Sequence, residues 1–281
     1  MRIIILLFLY CSASSGIIYS KSILKLNNLK IEILKDAHYL GSKEQNITQL
    51  NYFLSSLERV KSSTHLIIES KFFYIYDINY GLDCFYQKLS HLLNSNNNWS
   101  FANSPQDLQA TTWIAWELPH CLVCKNLDFV TYEFPDPRLE LSSRIATQES
   151  IEYITNIVEQ KYENIKNNLS TKTQECLRIL LEQQSNSNLE IYDKVIALKI
   201  LSIIDAPENN TAKIVVICGG YHGVKLEKLL LNIGFENILT AGLSIADIMH
   251  YEKGAELSNT DMDQLDAMFG ASARSATRIP L

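Results

Sequence analysis

Two histidines and a glutamate, His38, Glu69 and His222, each follow a short apolar run in a chain of 281 residues. Imidazole and carboxylate are the side chains that hold a divalent ion of the zinc, manganese, iron or cobalt kind. Three such ligands leave one position open for a water, and the ion lowers the pKa of that water until hydroxide forms near neutral pH. Asp36, two residues before His38, fits either of two roles: a further ligand, or the carboxylate that orients His38 from behind. The plain alternative for each residue is a hydrogen-bonded loop position at the end of a strand. That is the ordinary fate of a lone histidine or glutamate there.

Residues so far apart in sequence meet only if the strands before them share one sheet and run in one direction, because sites in such sheets lie beyond the carboxyl ends of the strands. Residues 214–218 are a β-branched, apolar run, the pattern of a fully buried strand. Gly219, Gly220 and Gly223 interrupt it, and residues 224–233 resume at helical spacing. His222 therefore sits in a strand–glycine–helix corner, at or just before the helix start. The glycine pair suits a close approach of backbone to ligand. Further strands are predicted at 29–35, 64–68, 127–134 and 236–243, with a short one at 99–102. Helices are predicted at 44–60, 83–93, 106–118, 149–181 (broken near 167–171) and 189–205. Strands alternating with helices predict an α/β fold. The expected architecture is a mixed, largely parallel sheet flanked by helices, with residues 149–205 as a cap-like helical insertion over one end.

The sequence Lys35-Asp36-Ala37-His38, the glutamate ending Leu66-Ile67-Ile68-Glu69, and Gly219-Gly220-Tyr221-His222 resemble the TraB/Tiki/EreA/ChaN-type superfamily. That group has an early G-x-x-H after its first strand, a glutamate ending its second, and a late G-x-x-H between a strand and a helix. The late motif is complete here; Lys35 stands where the early one has glycine. The resemblance covers the order of elements from residue 29 to residue 243. It implies an α/β fold with His38, Glu69 and His222 in one pocket around a divalent metal ion (Mn, Co, Zn or Fe). It further implies a metal-dependent hydrolase of peptide or ester bonds or, in the haem-iron branch, a ligand-binding protein without turnover. In the hydrolase reading Glu69 is a ligand or takes a proton from the bound water. Arg138, just past the 127–134 strand, would stabilise an oxyanion.

Other chemistry is poorly supported. The net charge of −6 and the lack of a dense Lys/Arg patch argue against nucleic acid as a partner. That leaves a small-molecule or peptide substrate. Cys121–Cys124 is a single C-x-x-C, half of a zinc site, and reads as local packing or one short disulfide. Cys218 ends a strand with nothing nearby in sequence to stabilise a thiolate. The glycines match neither a P-loop nor a dinucleotide fingerprint.

Residues 1–20 read as a signal peptide: Met1-Arg2 is a positive start, residues 3–10 an apolar core, and residues 12–16 a stretch of small residues suited to cleavage. The best cuts fall near residues 13–16, and the mature chain is expected to begin between about residue 14 and residue 22. No later stretch approaches the ~20 apolar residues of a membrane span. The expectation is an exported protein, periplasmic or secreted, with one α/β domain over residues 21–259 and a flexible tail over 260–281.

Overall fold

Alternating and continuous apolar runs build a six-stranded sheet in which five strands share one direction. The computed structural model describes residues 14–37, 40–41, 43–69, 107–108, 114, 118, 121–122, 125–133, 148–182, 188–204, 213–251 and 257–270. Strands β1 (Ile17–Leu26) and β2 (Leu29–Ala37) form a hairpin with Leu26 opposite Leu29. Its two-residue turn is Asn27-Asn28, and Asn27 takes a φ of 54°, a left-handed value that asparagine tolerates. Then come β3 (Thr64–Ile68), β4 (Val130–Glu133), β5 (Lys213–Gly219) and β6 (Glu236–Gly242). The spatial order is β4-β3-β5-β2-β1-β6. The β4–β3, β3–β5 and β5–β2 pairs are parallel, and β1 alone runs against its neighbours. The central strand β5 is fully buried from Ile214 to Cys218, as its unbroken apolar run predicts.

Helices cover both faces. On one, α1 (Lys43–Val60) lays Leu50, Phe53, Leu54 and Leu57 against Leu66, Ile68, Val215 and Ile217. On the other are α2 (Gln148–Ile165), α3 (Thr171–Glu182), α4 (Asn188–Ile204) and α5 (Gly220–Ile233). Tyr192, Ile196 and Ile200 of α4 and Leu226 and Leu230 of α5 share a core with Ile31, Ile33, Ile67 and Val216. The helices of 149–205 thus form a layer over a face of the sheet, where a cap over one end was expected. The reason is that α4 is apolar on most of its circumference and needs a sheet to bury it. The short α6 (Ile245–Met249) begins with a capping box between Ser244 and Asp247. Helix α7 (Asn259–Ala267) returns to the α1 face.

The folded unit extends past both expected boundaries. Ile17–Ser20, placed in the leader by sequence, is the first part of β1, and Ile17 and Ile18 are buried. Gln49 holds Ile18 from both sides, accepting from its N–H at 2.7 Å and donating to its carbonyl at 2.6 Å. At the other end, the expected tail from residue 260 contributes Met262, Leu265, Met268 and Phe269 to the core. Asp107–Leu108, expected in a helix, is extended and pairs with Ser14–Ser15. The segments 83–93 and 99–102, and residues 271–281 of the expected tail, lie outside the described residues.

Candidate functional site

Strands β3, β5 and β2 end side by side, with β5 in the middle. There β5 passes into α5 without a loop: Gly219 is both the last strand residue and the N-cap. A helix start leaves its first N–H groups without intrahelical partners, and glycine has no side chain to satisfy them. The neighbouring strand supplies the acceptor. Glu69, one residue beyond β3, continues the ladder through its N–H to the Ile217 carbonyl at 2.8 Å. Its carboxylate turns back so that Oε2 accepts from the Gly219 N–H at 2.8 Å. Glu69 is 1% exposed.

His222 is the third residue of α5, inside the first turn; the sequence placed it at or before the helix start. That position turns the buried imidazole inward over the strand ends. Its Nε2 stands 3.7 Å from Glu69 Oε1. Its Nδ1 is hydrogen-bonded to Asp193 Oδ1 on α4. Tyr192 meets the ring edge-on at 4.8 Å between centroids, and Tyr221 at 5.8 Å. Asp193 Oδ2 pairs with Lys225 Nζ at 3.2 Å, and that ammonium lies over the Tyr221 ring, 4.3 Å from its centroid. Burial works against the charge on Lys225. Hydrogen bonding to Tyr221 and attraction to Asp193 outweigh it and hold the lysine above its ordinary pKa.

The two glycines flanking His222 in α5 make room for side chains of the protein itself. A Cβ on Gly220 would fall 2.3 Å from the Tyr19 hydroxyl, and one on Gly223 would fall 2.7 Å from Lys35 Cγ. The first turn of α5 is therefore seated low on β1 and β2. Lys35 is buried under α5, and its Nζ reaches Glu227 Oε2 at 2.7 Å and Ser22 Oγ at 3.1 Å. The residue that departs from the early motif is thus built into the joint between sheet and helix. Its neighbour Asp36 pairs in register with Gly219. Strand alternation puts Asp36 on the same face as Leu34, the α1 side, and away from the face of Lys35. Tyr19 packs on that side too. Burial, with Cys218 and Asp36 close by, pushes the Tyr19 hydroxyl up to about 12, so it stays protonated. Burial also pushes the Cys218 thiol well above its ordinary value, and Glu69, Asp193 and Asp36 add to the shift. A thiol held protonated is no nucleophile.

Of the residues singled out by sequence, Glu69 and His222 are brought together, and Asp36 stands at the adjoining strand end on the opposite face. His38 and Arg138 lie outside the described residues. Asp193 was missed. Its signal was the single acidic residue of the largely apolar stretch 191–204, but nothing in the sequence says that α4 packs beside α5. Cys121, expected in local packing or a disulfide, is buried in the core on the α1 side; Cys124 is outside the described residues. Among the described residues, no group of three or more His, Cys, Asp and Glu side chains is arranged to hold a metal ion. Comparison with protein-family models, with curated proteins and with solved structures finds no match.

Proposed function

We propose that the chain is an exported, divalent-metal-dependent hydrolase of a peptide or ester bond, the activity implied by the resemblance to the TraB/Tiki/EreA/ChaN-type group. The observation that carries this reading is the buried gap between His222 Nε2 and Glu69 Oε1. At 3.7 Å it is too long for a hydrogen bond. It is close to the roughly 3.4 Å that separates two ligands of one tetrahedral ion with bond lengths of ~2.1 Å. The carboxylate behind Nδ1 also fits, since ligating imidazoles usually donate their second N–H to such a group. His222 and Glu69 would hold the ion, with His38 as the third ligand; the ion would supply a water of lowered pKa. Glu69 has one oxygen anchored by the Gly219 N–H and the other turned toward His222, so it can serve as ligand or take a proton. Packing from Tyr192 limits how far the imidazole can turn.

Metal content and turnover of purified variants test the proposal. His222→Ala is expected to lose bound metal and any metal-stimulated peptide or ester hydrolysis. Glu69→Gln separates two roles: loss of metal marks a ligand, while metal retained with turnover down by roughly 10²–10⁴-fold marks a general base. If His222→Ala binds metal like the wild type and only unfolds more readily, the histidine is structural and the proposal fails. In the haem- or ligand-binding alternative, Lys35 in place of glycine would mark an altered site. The ion pair of Lys35 with Glu227 supplies a structural reason for that lysine, which supports the hydrolase reading over an altered site. For export, the leader is proposed to end before Ile17, because a cut after Ser20 would remove buried residues of β1. N-terminal sequencing from the native host should find a start at residues 14–17; a start at Met1 would refute it.

A further inference from the structure

We infer that Asp193, held by Lys225, is a positioning residue that commits His222 to the tautomer with its proton on Nδ1, leaving the Nε2 lone pair turned toward Glu69. Its role as positioner of a metal ligand rests on the hydrolase reading above; the tautomer itself does not. A neutral imidazole has one donor and one acceptor nitrogen, and the partner of one decides what the other can do. A carboxylate can only accept, so a bond between Asp193 Oδ1 and Nδ1 requires the proton on Nδ1. Lys225 secures this from the far side. Its ammonium can only donate, and it sits 3.2 Å from Asp193 Oδ2. Tyr221 backs that ammonium, and Tyr192 meets the imidazole edge-on, which limits tilt of the ring. The groups facing the imidazole are thus Asp193 from α4, Glu69 from the end of β3, and Lys225 and Tyr221 from α5 itself.

Asp193→Asn is a sharp test because Lys225 fixes which way the amide turns. The amide oxygen must face the ammonium, so the NH₂ faces Nδ1 and donates to it. Nδ1 then becomes the acceptor and the proton moves to Nε2, where it blocks the lone pair. The tautomer is read by nitrogen NMR of histidine-labelled, metal-free protein, at a pH high enough that the ring-nitrogen shifts no longer change with pH. The wild type should carry its proton on Nδ1 and D193N on Nε2. D193N should also bind Zn²⁺ or Mn²⁺ about 10–100-fold more weakly, the usual cost of losing such a partner. Lys225→Met keeps the carboxylate and should keep the wild-type tautomer. It covers the case in which D193N does not fold, since the wild type and K225M spectra alone then decide. A wild type protonated on Nε2, a D193N spectrum like the wild type, or a K225M protein protonated on Nε2 would each overturn the inference. If the wild type shows the Nδ1–H tautomer but binds neither metal, the inference stands and the hydrolase reading is what fails.

Discussion

Around His222, small residues matter for what they admit. Gly220 leaves a space that the Tyr19 hydroxyl fills, with ring carbons of Tyr19 3.0 and 3.1 Å from where a Cβ would stand. Gly220→Ala should therefore destabilise the protein by about 1–3 kcal/mol, the usual cost of overpacking a core. Tyr19→Leu should absorb part of that cost, so urea denaturation of the two single variants and the double should be non-additive. Additive losses would mean that Tyr19 does not occupy the space. The sequence shows the glycines and offers a ligand as the reason for them. The reason found for Gly220 is a tyrosine from a strand hidden in the expected leader, and for Gly223 it is Lys35. Glu69 and His222 were legible because each ends or follows an apolar run. Asp193 was not, because only the packing of one helix on another brings it into reach.

At the scale of elements, one buried ion pair joins β2 to α5. Lys35 and Glu227 are both largely buried, Ser22 of β1 donates to Glu227 Oε2 at 3.1 Å, and Asn237 of β6 donates to Oε1 at 3.0 Å. Removing one partner leaves the other charge without its counterpart, whereas replacing both with apolar groups is often neutral. Lys35→Met should accordingly cost about 3 kcal/mol, and Lys35→Met with Glu227→Met should recover most of it. Chemical denaturation of the three variants measures this; a double variant no better than the single would argue against the pair. The same polar residues explain which elements were illegible. Ser20, Lys21 and Ser22 interrupt the apolar pattern of β1, and the partners of Lys21 and Ser22 lie on other parts of the fold. Lys21, for example, reaches Glu32 at 3.5 Å and the Met268 carbonyl. Strand β5 carries no such interruption from Ile214 to Cys218 and β3 only His65, and both were read correctly to within a residue or two. Helix α7 places Met262 and Leu265 three apart among acidic residues, a signal too short to stand out in sequence.

For the molecule as a whole, one acidic group works against stability at neutral pH. Burial, with Asp263 adding to it, pushes the Asp266 carboxyl up to about 6, and its Oδ1 is buried without a hydrogen bond. The folded protein holds that proton to a higher pH than the unfolded chain does. Between the ordinary aspartate value and about 6, the unfolded state thus binds fewer protons, and stability falls as pH rises. Asp266→Asn should raise stability at pH 7 by about 1 kcal/mol, after discounting for partial exposure, and change little at pH 4. Thermal melts at the two pH values check this; equal shifts at both would refute it. The topology also sets an order of events as the chain leaves the ribosome. Strand β6 pairs with β1, Ser20 opposite Gly242, so two segments more than two hundred residues apart must wait for each other. Until residues 236–242 emerge, one edge of β1 has no partner and remains a place where a nascent chain can pair wrongly. Glu69, Asp193 and His222 all precede that point. The corner of Glu69, Asp193 and His222 can form on an unfinished sheet, and a strand synthesised later closes the open edge beside it.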